Sequence, residues 1–219
     1  MSKISNSWHS NISSKNREEI ILAAKELFLK NNSLNVKITD ICTLAGISRV
    51  TFYKYFKTID VLIFEVQMNV LNSMWQFIKD RSDFTRNGKE SLESVLNAWV
   101  DFAKEHKEEM KFIIIFDLYY SSYDLNEELI LKYKNFTAED FNRSFLRTAL
   151  AKGIKDGSLK LKGEADASRI GTCIFQTVMG LLQRLSYTTF NIEDEAITFN
   201  NIAAQVVEMI IRSIENKND

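Results

Sequence analysis

Apolar residues recur at helical spacing along almost the whole chain. In residues 17–30, Ile20, Ala23, Ala24, Leu27 and Phe28 share one face, while Lys15, Arg17, Lys25 and Lys30 lie elsewhere. The polar "NNSLN" at 31–35 breaks that helix. A short second helix follows, with Ile38, Ile41 and Ala45 pointing one way, and it stops at Gly46. The segment "ISRVTFYKYFK" at 47–57 predicts a short third helix. Thr58 is placed to cap a long fourth, "TIDVLIFEVQMNVLNSMWQFIKDRS", with Asp60 in its first turn. Beyond Gly88, residues 90–106 and 107–121 read as two amphipathic segments around the charged "KEHKEE". Asp124 and Glu127 have capping-box spacing, and Thr137 with Asp140 repeats it, so an interruption is expected near Thr137. "DGSLKLKG" at 156–163 is the clearest loop, and two helices over about 164–187 and 195–215 close the chain. The expected fold is all-α.

Composition supports this. Proline is absent and glycine occurs seven times in 219 residues, too seldom for a fold made of strands and tight turns. An apolar fraction of 45% is enough for a substantial core. Two cysteines, Cys42 and Cys173, exclude a disulfide framework; both are expected as buried, reduced thiols in a cytosolic protein. The longest apolar run, Phe112 to Phe116, is far too short to cross a membrane. Residues 1–16, "MSKISNSWHSNISSKN", lack the apolar centre of a signal peptide and read as a polar, mobile arm.

Charge divides the chain. Residues 1–62 hold nine Lys and Arg against five Asp and Glu, a balance of +4. The remainder holds 28 − 9 = 19 cations and 29 − 5 = 24 anions, a balance of −5. Only the front is suited to meet a polyanion.

The third helix carries the most distinctive chemistry. At about 100° per residue, Phe52, Tyr55 and Phe56 cluster on one side, and Val50, Tyr53, Lys54 and Lys57 on the other. Arg49 and Thr51 stand at the margins. Ser48 is a good N-cap, and Gly46 suits the turn before it. Two short helices joined there make a helix-turn-helix, whose second helix enters the major groove of DNA. Arg49 can then pair with guanine and Val50 can touch a thymine methyl. Thr51, Tyr53, Lys54 and Lys57 can donate to phosphates and fix the register. On spacing alone, a solvated amphipathic helix whose tyrosines cover the core remains an alternative.

Residues from about 17 to 65 resemble the DNA-binding domain of the TetR/AcrR family of bacterial transcriptional repressors. The likeness lies in "ILAAKELF" at 21–28, "ITDICTLAGIS" at 38–48 and "TFYKYFKTIDVL" at 51–62. It implies a three-helix DNA-binding head over 17–62. It also implies a helical body over 63–219 that binds a small effector, and a homodimer built on the last two helices. By the resemblance, Thr39, Arg49, Val50, Thr51, Tyr53, Lys54, Tyr55 and Lys57 face DNA, and a two-fold dimer calls for an inverted-repeat operator. The chain departs from the family pattern at three places. Val50 replaces a usual glycine, Ile59 a usual lysine, and Lys37 stands where a threonine often caps the second helix, its charge free to meet a phosphate.

The body is rich in large aromatics. Trp99, Phe116, Tyr120 and Phe175 are the expected effector contacts, on the central helices that line ligand sites in the resembled family. They suit an apolar or aromatic ligand, including a cationic one. Each of the last two helices carries two apolar stripes, so Ile174, Val178, Leu181, Val206 and Ile210 are expected at a dimer interface. Both stripes lying within one core is the alternative. Neither metal nor cofactor is implied. His9 and His106 lack the Glu-x-x-His pairing of di-iron bundles, and no phosphate-binding glycine loop or Cys-x-x-Cys occurs, so an enzyme is not expected. A constitutive or nucleoid-organising DNA-binding protein with no ligand is the main rival to an effector-released regulator.

Overall fold

The computed structural model describes residues 2–31, 35–123, 126–142, 145–187 and 198–216. Among them lie ten α-helices and no strand. In order these are α1 Ser2–Lys30, α2 Ile38–Leu44, α3 Arg49–Tyr55, α4 Ile59–Arg81 and α5 Gly88–Glu105. There follow α6 Lys107–Tyr119, a 3-10 turn Tyr120–Ser122, α7 Glu127–Asn142, α8 Phe145–Asp156, α9 Glu164–Tyr187 and α10 Phe199–Ile214. Short polar side chains set the starts. Ser48, Asn87 and Thr198 each accept a hydrogen bond from the backbone three residues on. Thr58 and Asn126 do the same for α4 and α7.

Three boundaries differ from the expected ones. The stretch read as a polar arm joins α1 from Ser2, since nothing in it breaks a helix. Helix α7 runs unbroken through Thr137, whose hydroxyl donates back to the Lys134 carbonyl at 3.1 Å instead of capping a new helix. The Asn126 cap takes the place given to Asp124, which lies outside the described residues, as do residues 195–197 of the last predicted helix.

The chain forms two compact units, one of Met1–Leu71 with Phe112–Tyr133, the other of Asn72–Lys111 with Lys134–Asp219. In the first, Ile20, Ala23, Ala24 and Phe28 bury the expected face of α1. Phe28 stacks on Phe112 at 5.9 Å. Residues Leu62, Ile63, Phe64, Val66, Gln67 and Met68 are all buried, and only the stripe of Val61, Glu65 and Asn69 on this part of α4 is half-buried. In the second unit, α5 packs on α8, α9 and α10. Its first residue, Gly88, meets Gly153 of α8 so closely that a Cβ would stand 2.0 Å from the Gly153 nitrogen. The Gly88 N–H donates to Asp156 at 2.6 Å, and Lys89 pairs with Glu215 at 2.6 Å. The loop after α8 straps the end of α10, with Lys160 N–H donating to the Ile214 carbonyl at 2.7 Å. Cys42 is buried as expected. Cys173 is exposed, on the outward side of α9, where Thr172 and Gln176 are also exposed.

Candidate nucleic-acid interface

Helix α2 begins where the Lys37 N–H donates to the Asp40 carboxylate at 3.1 Å. An ammonium has no lone pair to return the bond, so Lys37 leaves its side chain exposed. Thr39 is also exposed. Ile41 and Cys42 turn inward. Burial pushes the Cys42 thiol up, with the Arg49 charge pulling the other way. The helix ends in a tight turn, Ala45 N–H donating to Ile41 and Ile47 N–H to Cys42, at 2.9 and 3.0 Å. Gly46 takes φ +64° there, a conformation costly for any residue with a Cβ. Ser48 then caps α3, its Oγ accepting from Thr51 N–H at 3.1 Å. The Thr51 hydroxyl lies 3.0 Å from the same oxygen, so it helps close the helix as well as facing outward.

The two sides of α3 separate as the spacing requires. Phe52 and Phe56 are buried, with ring centroids 5.9 Å apart. Arg49, Val50, Tyr53, Lys54 and Lys57 are exposed, while Thr51 and Tyr55 are half-buried. Val50 leaves 71% of its surface open and Tyr53 47%. This short helix, with Lys57 just past its C-cap Phe56, therefore offers a guanidinium, two ammonium groups, a phenol and a bare isopropyl group. That is the set needed to hold phosphates and read base edges in one groove.

Residues 20–66 match the family model described as bacterial regulatory proteins of the tetR family. These residues are a tetR-family head. The fold of the whole chain agrees. It is similar to a tetR-family regulatory protein from Rhodococcus RHA1 at TM-score 0.66 and 16% identity, covering 93% of this chain and 99% of that one. A tetR-family regulator from Mesorhizobium loti MAFF303099 gives TM-score 0.67 at 17% identity, with 93% and 98% covered. The ketosteroid transcriptional regulator KstR2 of Mycobacterium tuberculosis gives 0.60 at 16%, with 92% and 95% covered. No curated protein matches the chain in sequence.

The tetR-family head is backed by a cation and a carboxylate that the sequence did not single out. Arg17 of α1 lies over the Phe56 ring, 5.3 Å from its centroid, and pairs with Glu65 of α4 at 2.9 Å. Lys132 of α7 donates to the same carboxylate. These partners are far apart in sequence, so no local spacing announces them.

The four residues expected to touch an effector fall as two pairs in different units. Trp99 and Phe175 meet edge to face at 5.8 Å, with Trp75 6.3 Å from Trp99. The Trp99 indole N–H is buried without a protein partner. Phe116 and Tyr120 belong to a cluster centred on Phe64, which also holds Tyr123 and Tyr133; Phe64 lies 4.7 to 5.7 Å from the other four rings. Phe64 and Tyr123 were not among the expected contacts. Gln67 Oε1 and the Tyr123 hydroxyl are buried there and lack partners. Burial pushes the Tyr123 and Tyr133 phenols up to about 12, helped by the negative charge of Asp117 at both and of Asp60 at Tyr123.

Of the expected dimer residues, Ile174 and Val178 are buried inside their own unit and are not available to a partner. Their stripe of α9 turns inward because α9 packs on α5, α8 and α10 together. Leu181, Val206 and Ile210 are half-buried.

Proposed function

We propose that this chain is a DNA-binding transcriptional repressor that reads an inverted-repeat operator as a homodimer and leaves it when a small, largely apolar or aromatic ligand binds. The observation carrying this reading is the outward face of α3 and the residue after its C-cap, where Arg49, Val50, Tyr53, Lys54 and Lys57 are exposed over a buried Phe52–Phe56 base. Arg49 and Val50 read bases from the start of the helix. Thr51, Tyr53, Lys54, Tyr55 and Lys57 hold the backbone, with Thr39 and Lys37 of α2 beside them. The dimer surface consists of Leu181 of α9 with Val206 and Ile210 of α10, extended by Ile202 and the exposed Met209.

The effector meets one of the two aromatic groups. Each holds a buried polar atom with no protein partner, Trp99 Nε1 in one, Gln67 Oε1 and the Tyr123 hydroxyl in the other. A ligand that satisfies such an atom gains a hydrogen bond the empty protein lacks. Release requires only that the ligand bind the two conformations of the protein unequally.

Selection of duplexes from a randomised library tests the first half of the reading, with an inverted repeat as the expected product. Thermal-shift screening of aromatic and cationic compounds, followed by operator binding with each hit, tests the second. Hits that leave operator affinity unchanged, or no hits at all, favour the constitutive DNA-binding alternative.

A further inference from the structure

The carboxylate of Glu65 has a cation on each oxygen. Arg17 of α1 meets Oε2 at 2.9 Å, and Lys132 of α7 donates to Oε1. Only 14% of the Glu65 side chain is exposed, so these charges attract more strongly than a surface pair in water. Arg17 has a second contact, its guanidinium lying 5.3 Å from the Phe56 ring centroid. Phe56 closes the recognition helix: its N–H donates to the Phe52 carbonyl at 3.0 Å, and both rings are buried. Contacts therefore run from α7 to α4, from α4 to α1, and from α1 to the C-terminal end of α3.

We infer that Glu65 positions the recognition helix through Arg17 and Phe56, and that Lys132 of α7 sets how firmly it does so. One carboxylate is shared by two cations. While Lys132 holds Oε1, Arg17 is left with Oε2 and keeps its guanidinium over the ring. When α7 draws Lys132 away, Oε1 is a partly buried acceptor without a partner. A two-pronged bond from Arg17 is the nearest means of satisfying it. Turning to make that bond takes the guanidinium off Phe56, and the last turn of α3 loses its cover. The next residue of α7, Tyr133, belongs to the ring cluster around Phe64. A ligand that reseats Tyr133 therefore moves Lys132 as well. This regulatory part rests on the ligand-release reading above, whereas the positioning part needs only the DNA-binding one.

The probe is the duplex that the wild-type protein selects from a randomised library. Lys132→Met is expected to weaken binding to it by roughly three- to thirtyfold, the range for residues that couple sites without touching either ligand. Affinity for an unrelated duplex and the salt dependence stay as in the wild type, because Lys132 touches no phosphate. Lys132→Arg, which keeps the bond to Glu65, restores selective binding. In an Arg17→Gln background Lys132→Met adds nothing, since both substitutions break one chain. An unchanged or tighter affinity in Lys132→Met overturns the inference. So do effects of Arg17→Gln and Lys132→Met that add, or a flatter salt dependence in Lys132→Met. If the wild-type protein selects no duplex, the DNA-binding reading falls and this inference with it; if it selects one and Lys132→Met matches it, only the inference falls.

Discussion

Val50 leaves 71% of its surface in water one residue after Arg49, an arrangement that gains nothing for the folded chain by itself. Its value lies in what it meets. Arg49→Ala is expected to cost roughly 1–3 kcal/mol per half-site and to relax preference at one base position. Lys54→Ala should instead weaken every sequence about equally and flatten the salt dependence by roughly one unit of slope per half-site. Binding to a randomised operator library at several salt concentrations separates the two; exchanged signatures would reverse the assigned roles. Away from this face the most exacting position is Gly88. A methyl group there would stand 2.0 Å from the Gly153 backbone nitrogen, which no side-chain movement relieves. Gly88→Ala should destabilise the protein by about 1–3 kcal/mol or more, read as a lower midpoint in urea. An unchanged midpoint would mean that α5 and α8 do not approach as described. The contrast shows what a sequence discloses at this scale. The charge and shape of α3 follow from spacing within eleven residues, so its outward set could be read directly. The closeness of Gly88 to Gly153 depends on two helices meeting, and nothing in either helix records it.

At the scale of elements, periodicity located most helices well because an apolar stripe must be buried wherever it occurs. It failed where a local capping pattern was outvoted. The Thr137 hydroxyl found a carbonyl inside α7 and the helix continued. It was blind to ties between helices, of which Glu65 is the clearest. Burial alone would raise the Glu65 carboxyl, but the hydrogen bonds and charges of Lys132 and Arg17 outweigh it and hold it below the usual carboxylate range. A carboxyl lowered in the folded state contributes stability at pH values above its unfolded pKa of about 4.3. That contribution is lost as the pH falls through the folded value. Glu65→Gln should therefore be less stable than the wild type by roughly 1–3 kcal/mol at neutral pH. The gap should narrow on acidification, because the wild-type carboxyl then becomes neutral too. Urea unfolding of both proteins at neutral pH and near pH 3 measures it. A gap that stays constant or widens in acid would show that the two cations do not bind the charged form.

At the scale of the whole molecule, the question is which apolar surface remains once each unit has closed. The sequence showed two stripes on each of α9 and α10 without saying which would be used inside. In the structure Ile174 and Val178 of α9, and Ala203, Val207, Ile211 and Ile214 of α10, are buried in their own unit. The neighbouring stripe of α10, Ile202, Val206 and Ile210, is only half-buried, and Met209 is 61% exposed. A stripe of this kind is what a second copy would cover in the proposed dimer, and the proposed inverted-repeat operator calls for one. Charge placed on the two kinds of position should therefore act differently. Val206→Asp enters a symmetric interface twice, once from each protomer, and adds two desolvated carboxylates to it. Monomers that keep their helical circular dichroism but no longer associate at micromolar concentration are the expected result. Val178→Asp buries an unpartnered carboxylate in the core at a site 1% exposed, and should unfold the chain before association is at issue. Sedimentation together with circular dichroism on the wild type and both variants distinguishes the cases. A wild type that sediments as a folded monomer removes the dimer. A Val206→Asp protein that unfolds as Val178→Asp does would place that stripe in the core instead.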